Sequence, residues 1–176
     1  FFFYLLIGTF DSVVQKDTVE KFGKTAELLG ELPKESPFFY LMETARNLCL
    51  VLEKKADLGR EIRLAYSQED KETLQEIANI KIPVLLQRLQ DFYQSFRTQW
   101  NLENKSFGFE VQTVRIGGLL QRLKDVQEIL NAYLREEISG IAELNEPQKA
   151  FHYFEQNEIR SLNYNLWTDI VSPSKI

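Results

Sequence analysis

LLQRLQDFYQSFRTQW, residues 85–100, decides how this chain folds. Leu85, Leu89, Phe92, Phe96 and Trp100 recur there at spacings of 4, 3, 4 and 4, which at 3.6 residues per turn places all five on one side of a helix. Downstream, Leu119, Leu123, Val126, Leu130 and Tyr133 repeat the pattern at spacings of 4, 3, 4 and 3. A loop around residues 104–109 separates the two stripes. A connection that short brings consecutive helices side by side and antiparallel, so Leu89, Phe92, Leu123, Val126 and Leu130 are expected to be almost wholly buried in a shared core.

Working toward the N-terminus, Pro83 removes a backbone donor and predicts a kink or restart in a helix that begins near Asp70 with Leu74, Ile77 and Ala78. Ser36 before Pro37 is a good helix start. The spacing of Phe38, Leu41, Ala45, Leu48, Leu52 and Ala56 predicts a helix beyond it. Its run from Leu48 to Leu52 is apolar on every side, which predicts a central position. Gly59 is read as a bend or stop, with Ile62 and Tyr66 continuing toward a polar turn at residues 67–70. Upstream, Asp17 is the expected cap of a helix over residues 18–29, with Val19, Phe22, Ala26 and Leu29 on one side and Gly30 ending it. The fold class expected is all-α: an antiparallel bundle of about four to six helices. A partly extended tail follows, where Leu162, Tyr164 and Leu166 alternate with Asn163, Asn165 and Trp167.

The expected organisation is a remnant of a preceding domain plus a short helix over residues 1–30, a bundle core over 31–146, and a tail over 147–176 that packs on the bundle or on a missing partner domain. FFFYLLI, residues 1–7, is too short to span a bilayer, which takes about 20 apolar residues, and no basic segment precedes it as a leader requires. With Met42 as the only methionine and Phe1 as the first residue, the chain is expected to be a piece of a longer polypeptide.

Composition is ordinary for a folded domain, with 44% hydrophobic and 27% charged residues. A net charge of −5 gives no general attraction to phosphate, so nucleic acid is not an expected partner. No membrane partner is expected either. One cysteine, Cys49, permits no internal disulfide and is read as a small buried hydrophobe. That is consistent with a reducing compartment, and the cytoplasm is the expected location.

Catalytic and metal chemistry finds little support. His152 is the sole histidine, which excludes a two-histidine metal site, and one cysteine excludes a CxxC zinc site. No cofactor and no metal are expected. A Cys49–His152 nucleophilic pair is disfavoured, because a thiolate in the most apolar part of a central helix would be poorly solvated. Gly117 and Gly118 fit no phosphate loop and are read as close helix packing or a helix start. The carboxylates Glu136 with Glu137, Glu69 with Asp70, and Glu143 with Glu146 are read as solvated charge. NLENKSFGF, residues 101–109, has two readings: a capped turn whose phenylalanines close the core, or a contact for a ligand or partner.

The string FRTQWNLENKSFGFEVQTVRIGGLLQRL, residues 96–123, within a wider match over residues 37–144, resembles the C-terminal helical domain of bacterial exo-β-N-acetylhexosaminidases of glycoside hydrolase family 20. LNYNLWTDIV, residues 162–171, resembles the end of those proteins. The resemblance implies a parent glycosidase of carbohydrate metabolism that acts by substrate assistance, with an Asp-Glu dipeptide on a (β/α)8 barrel as its acid and orienting residue. No Asp-Glu dipeptide occurs in this chain, and a barrel of about 250 residues does not fit in it, so no catalytic residue is carried over and the chain alone is expected to be inactive. The partner implied is the barrel of the same polypeptide, which the domain would buttress, with a homo-oligomer contact as a further use. Docking or substrate-proximal candidates are Trp100, Asn101, Asn104, Phe107, Phe109, Asn163, Asn165 and Trp167, aromatics and amides set at helix ends and in connections. A free-standing helical module that binds another protein through aromatic anchors is the alternative. An in-frame barrel upstream of Phe1 would favour the first reading.

Overall fold

The computed structural model describes residues 17–146 together with Leu6 and Gln15. Among these residues 78% are helical and none is in a strand, so the fold is all-α as the stripes require. The helices are α1 (Thr18–Gly30), α2 (Phe39–Lys55), α3 (Leu58–Ser67), α4 (Lys71–Glu76), α5 (Ile82–Glu103), α6 (Phe109–Leu134) and the single turn α7 (Ala142–Asn145). A π-helical segment, Ile77–Lys81, joins α4 to α5 without a break. The expected extended tail, with Asn163, Asn165 and Trp167, lies outside the described residues.

The long helices form a row in chain order, α1 on α2, α2 on α5, α5 on α6, and named contacts fix their directions. Tyr40 early in α2 meets Glu103 late in α5, whereas Arg88 early in α5 meets Leu50 and Glu53 late in α2; the two run antiparallel. Likewise Gln127 late in α6 reaches Ala78, and Thr113 early in α6 reaches Tyr93, so α6 runs against the α4–α5 rod. The expected core is present. Leu85, Leu89, Leu123, Val126 and Leu130 are buried together with Leu58, Ile62, Leu74 and Ile77 from α3, α4 and the π segment and with Ile82 at the start of α5, while Phe92 packs against them half-buried.

Pro83 explains the π segment. In the π register the Ile82 N–H donates to the Ile77 carbonyl, and the next bond would be donated by residue 83 to Ala78, which proline cannot do. The freed Ala78 carbonyl is filled by Gln127 Nε2 at 2.7 Å. Asp70 caps α4 by accepting from the Thr73 N–H at 3.0 Å.

Several local expectations are corrected. Asp17 makes no side-chain cap and instead pairs with Lys21 at 2.7 Å. Gly30 continues α1 rather than ending it in a left-handed turn. The break after α2 falls at Ala56 and Asp57, with Gly59 inside α3. In α2 the buried positions are Thr44 and Val51, not the expected stripe: Leu48 is 39% and Phe38 59% exposed. A helix covered by α1 on one side and α5 on the other shows no single apolar stripe. Cys49 is half-buried rather than fully enclosed. Gly117 and Gly118 are exposed mid-helix with nothing within 4 Å of where a Cβ would stand, so neither close packing nor a helix start accounts for them.

Candidate functional site

The residues singled out at 100–109 sit where α5 ends and α6 begins. Phe109 opens α6 and points inward, 7% exposed. Its ring lies 5.5 Å from Tyr93, 5.5 Å from Phe96 and 5.7 Å from Trp100, centroid to centroid. Phe92 stacks on Phe96 at 5.6 Å, and Trp100 meets Phe96 edge-on at 6.2 Å. The apolar stripe of α5 thus ends in an aromatic cluster that clamps the first turn of α6.

The loop between is held from both sides. Trp100 Nε1 donates to the Lys105 carbonyl at 2.8 Å, and the Gly108 N–H donates to Glu110 Oε2 at 2.7 Å. Gly108 has φ 97°, a left-handed conformation that calls for glycine. Between these anchors Phe107 projects outward, 87% exposed. Asn101 and Asn104 are exposed beside it, and Trp100 is half-buried. The two phenylalanines of the loop therefore divide, one closing the cluster and one facing out.

Two further features escaped sequence reading. Leu102, 64% exposed, lies next to Glu103, whose carboxylate accepts from the Tyr40 hydroxyl at 3.2 Å, so the start of α2 with its exposed Phe38 sits at this same end of the row. The α1–α2 pairing sets Gly30 against Arg46, so the end of α1 lies partway along α2 rather than at this end. Only contact across 63 residues of chain makes the grouping visible.

Nucleophilic and acid-base chemistry has no constellation among the described residues. Burial pushes the Cys49 thiol up, away from the reactive thiolate, and His152 lies outside the described residues. The carboxylate pairs are committed elsewhere: Glu136 to Lys71 at 2.7 Å, Glu137 to Arg135 at 2.8 Å, Asp70 to the α4 cap, and Glu143 to Arg122. Among the described residues no group of three or more His, Cys, Asp or Glu side chains could hold a metal ion, and no helix is long and apolar enough to cross a membrane.

The model of the glycoside hydrolase 20C C-terminal domain matches residues 1–163. The chain belongs to that family. The setting is therefore a glycoside hydrolase, and the domain's partner is the catalytic domain of the same polypeptide. A search of curated proteins gives no significant match.

Proposed function

We propose that this helical domain supports the catalytic (β/α)8 barrel of its own polypeptide, a β-N-acetylhexosaminidase, and contributes no reacting group. The observation that carries the reading is Phe107: a phenylalanine 87% exposed on a loop pinned by Trp100 and Gly108. Apolar surface costs about 25 cal/mol per Å² in water, and a rigid mount gives a docking aromatic a low ordering cost. Phe38 and Leu102 at the same end supply the apolar surround, and the exposed amides Asn101 and Asn104 supply a polar rim. A cytoplasmic location fits the lone, half-buried Cys49.

In the full-length enzyme, Phe107→Ser is expected to lower the thermal midpoint by several degrees while leaving the chemistry of the barrel intact. The isolated chain is expected to release no product from a chromogenic N-acetylglucosaminide above the uncatalysed rate. Turnover by the chain, or an unchanged midpoint in the variant, contradicts the proposal.

A further inference from the structure

We infer that Leu6 fastens the chain arriving from the catalytic domain into the core of the bundle, so that the two domains unfold as one cooperative unit. Leu6 is 2% exposed and belongs to the same buried cluster as Val51 of α2, Leu58 and Ile62 of α3, and the enclosed leucines of α5 and α6. Chain order makes this placement informative. α1 follows Leu6, yet none of its residues belongs to the cluster, and its buried Ala26 lies outside it. Among the described residues, the chain therefore gives the core one leucine, runs through α1 without adding to it, and returns with Val51.

Two further facts make Leu6 a junction. The family is a C-terminal domain whose partner is the catalytic domain of the same polypeptide, so the catalytic domain lies upstream of Leu6. The residues leading into it, Phe1, Phe2, Phe3, Tyr4 and Leu5, include no glycine, proline, serine or charge. A boundary that lets domains move freely falls instead in a polar, glycine-rich or proline-rich linker. A side chain buried in one domain, with no such linker composition directly before it, ties the two folding equilibria together. Displacing the incoming chain draws Leu6 out of the bundle core, and loosening the core releases the incoming chain. This coupling needs no contact through Phe107.

The test is hydrogen exchange of the full-length enzyme, read by mass spectrometry after heat pulses at rising temperature. It gives separate midpoints for catalytic-domain peptides and for α6 peptides of residues 119–130. The two midpoints should coincide in the parent enzyme. A Gly-Ser-Gly-Ser-Gly-Ser insert between Tyr4 and Leu5 keeps Leu6 but supplies slack, and should part the midpoints by about 5 °C or more. The same insert between Pro33 and Lys34, in the turn between α1 and α2, should leave them together. Leu6→Ala should lower both midpoints in the parent enzyme, and only the α6 midpoint in the chain carrying the insert after Tyr4. Midpoints already apart in the parent, or parted equally by the Pro33 insert, overturn the inference, as does a catalytic-domain midpoint that Leu6→Ala leaves unchanged. Midpoints still joined after the Tyr4 insert also overturn it, and if Phe107→Ser then parts them the link belongs to the loop.

Discussion

Glu53 ties α2 to α5 through Arg88, whose Nη1 donates to the Glu53 carboxylate at 2.5 Å and to the Leu50 carbonyl at 2.7 Å. Partial burial would raise the carboxyl, but the hydrogen bonds from Arg88 and Lys54 outweigh it and hold Glu53 below its ordinary 4.5. A depressed folded value means that the link stabilises above the unfolded value and is lost as pH falls through the folded one. Glu53→Gln should therefore cost about 1–2 kcal/mol at pH 7, and urea unfolding should show the gap from the parent chain closing below about pH 4.5. Leu123, 0% exposed, tests the core instead. Leu123→Ala should cost about 2–5 kcal/mol in the same titration. Leu123 was legible because its stripe packs on one side only. Thr44 and Val51 were not, because α2 is covered on two sides.

At the scale of elements, the helix ends separate what sequence can and cannot convey. Asp70 was readable as a start, since its carboxylate reaches the Thr73 N–H as a cap should. The polar run at 67–70 marked the end of α3, but the left-handed residues that close α3 and α6 were not readable, because each is a glutamate. Glu69 has φ 55° and Glu136 φ 60°, and bonds from Asp70 to Ala65 and from Glu137 to Ala132 complete the turns. Pro83 announced a disturbance but not its remedy, which comes from α6. The Ala78 carbonyl that proline orphans is held by Gln127, 49 residues away. Gln127→Leu keeps the side chain's bulk and removes the donor, leaving a carbonyl of a residue 0% exposed without its partner. The expected loss is about 1–3 kcal/mol, with faster amide hydrogen exchange across residues 77–86. Unchanged exchange there would show that the π segment does not depend on the bond.

Across the whole molecule, the row of helices is unevenly filled. Where α3, α4, the π segment and the facing halves of α5 and α6 meet, large side chains are wholly enclosed. The opposite end ends in the aromatic cluster and, outside it, in Phe38, Leu102 and Phe107. The stripes at residues 85–100 and 119–133 conveyed the architecture, and the loop at 101–109 drew attention as a site. Which of its phenylalanines faces out depends on the Trp100–Lys105 bond and on the conformation of Gly108, neither of which a spacing rule contains. The central claim is that this end is a seat for the catalytic domain. Hydrogen exchange of the amides at residues 101–108, compared between the isolated chain and the full-length enzyme, tests it most directly. The account predicts exchange slowed at least tenfold in the full-length enzyme, and equal rates in the two would contradict it.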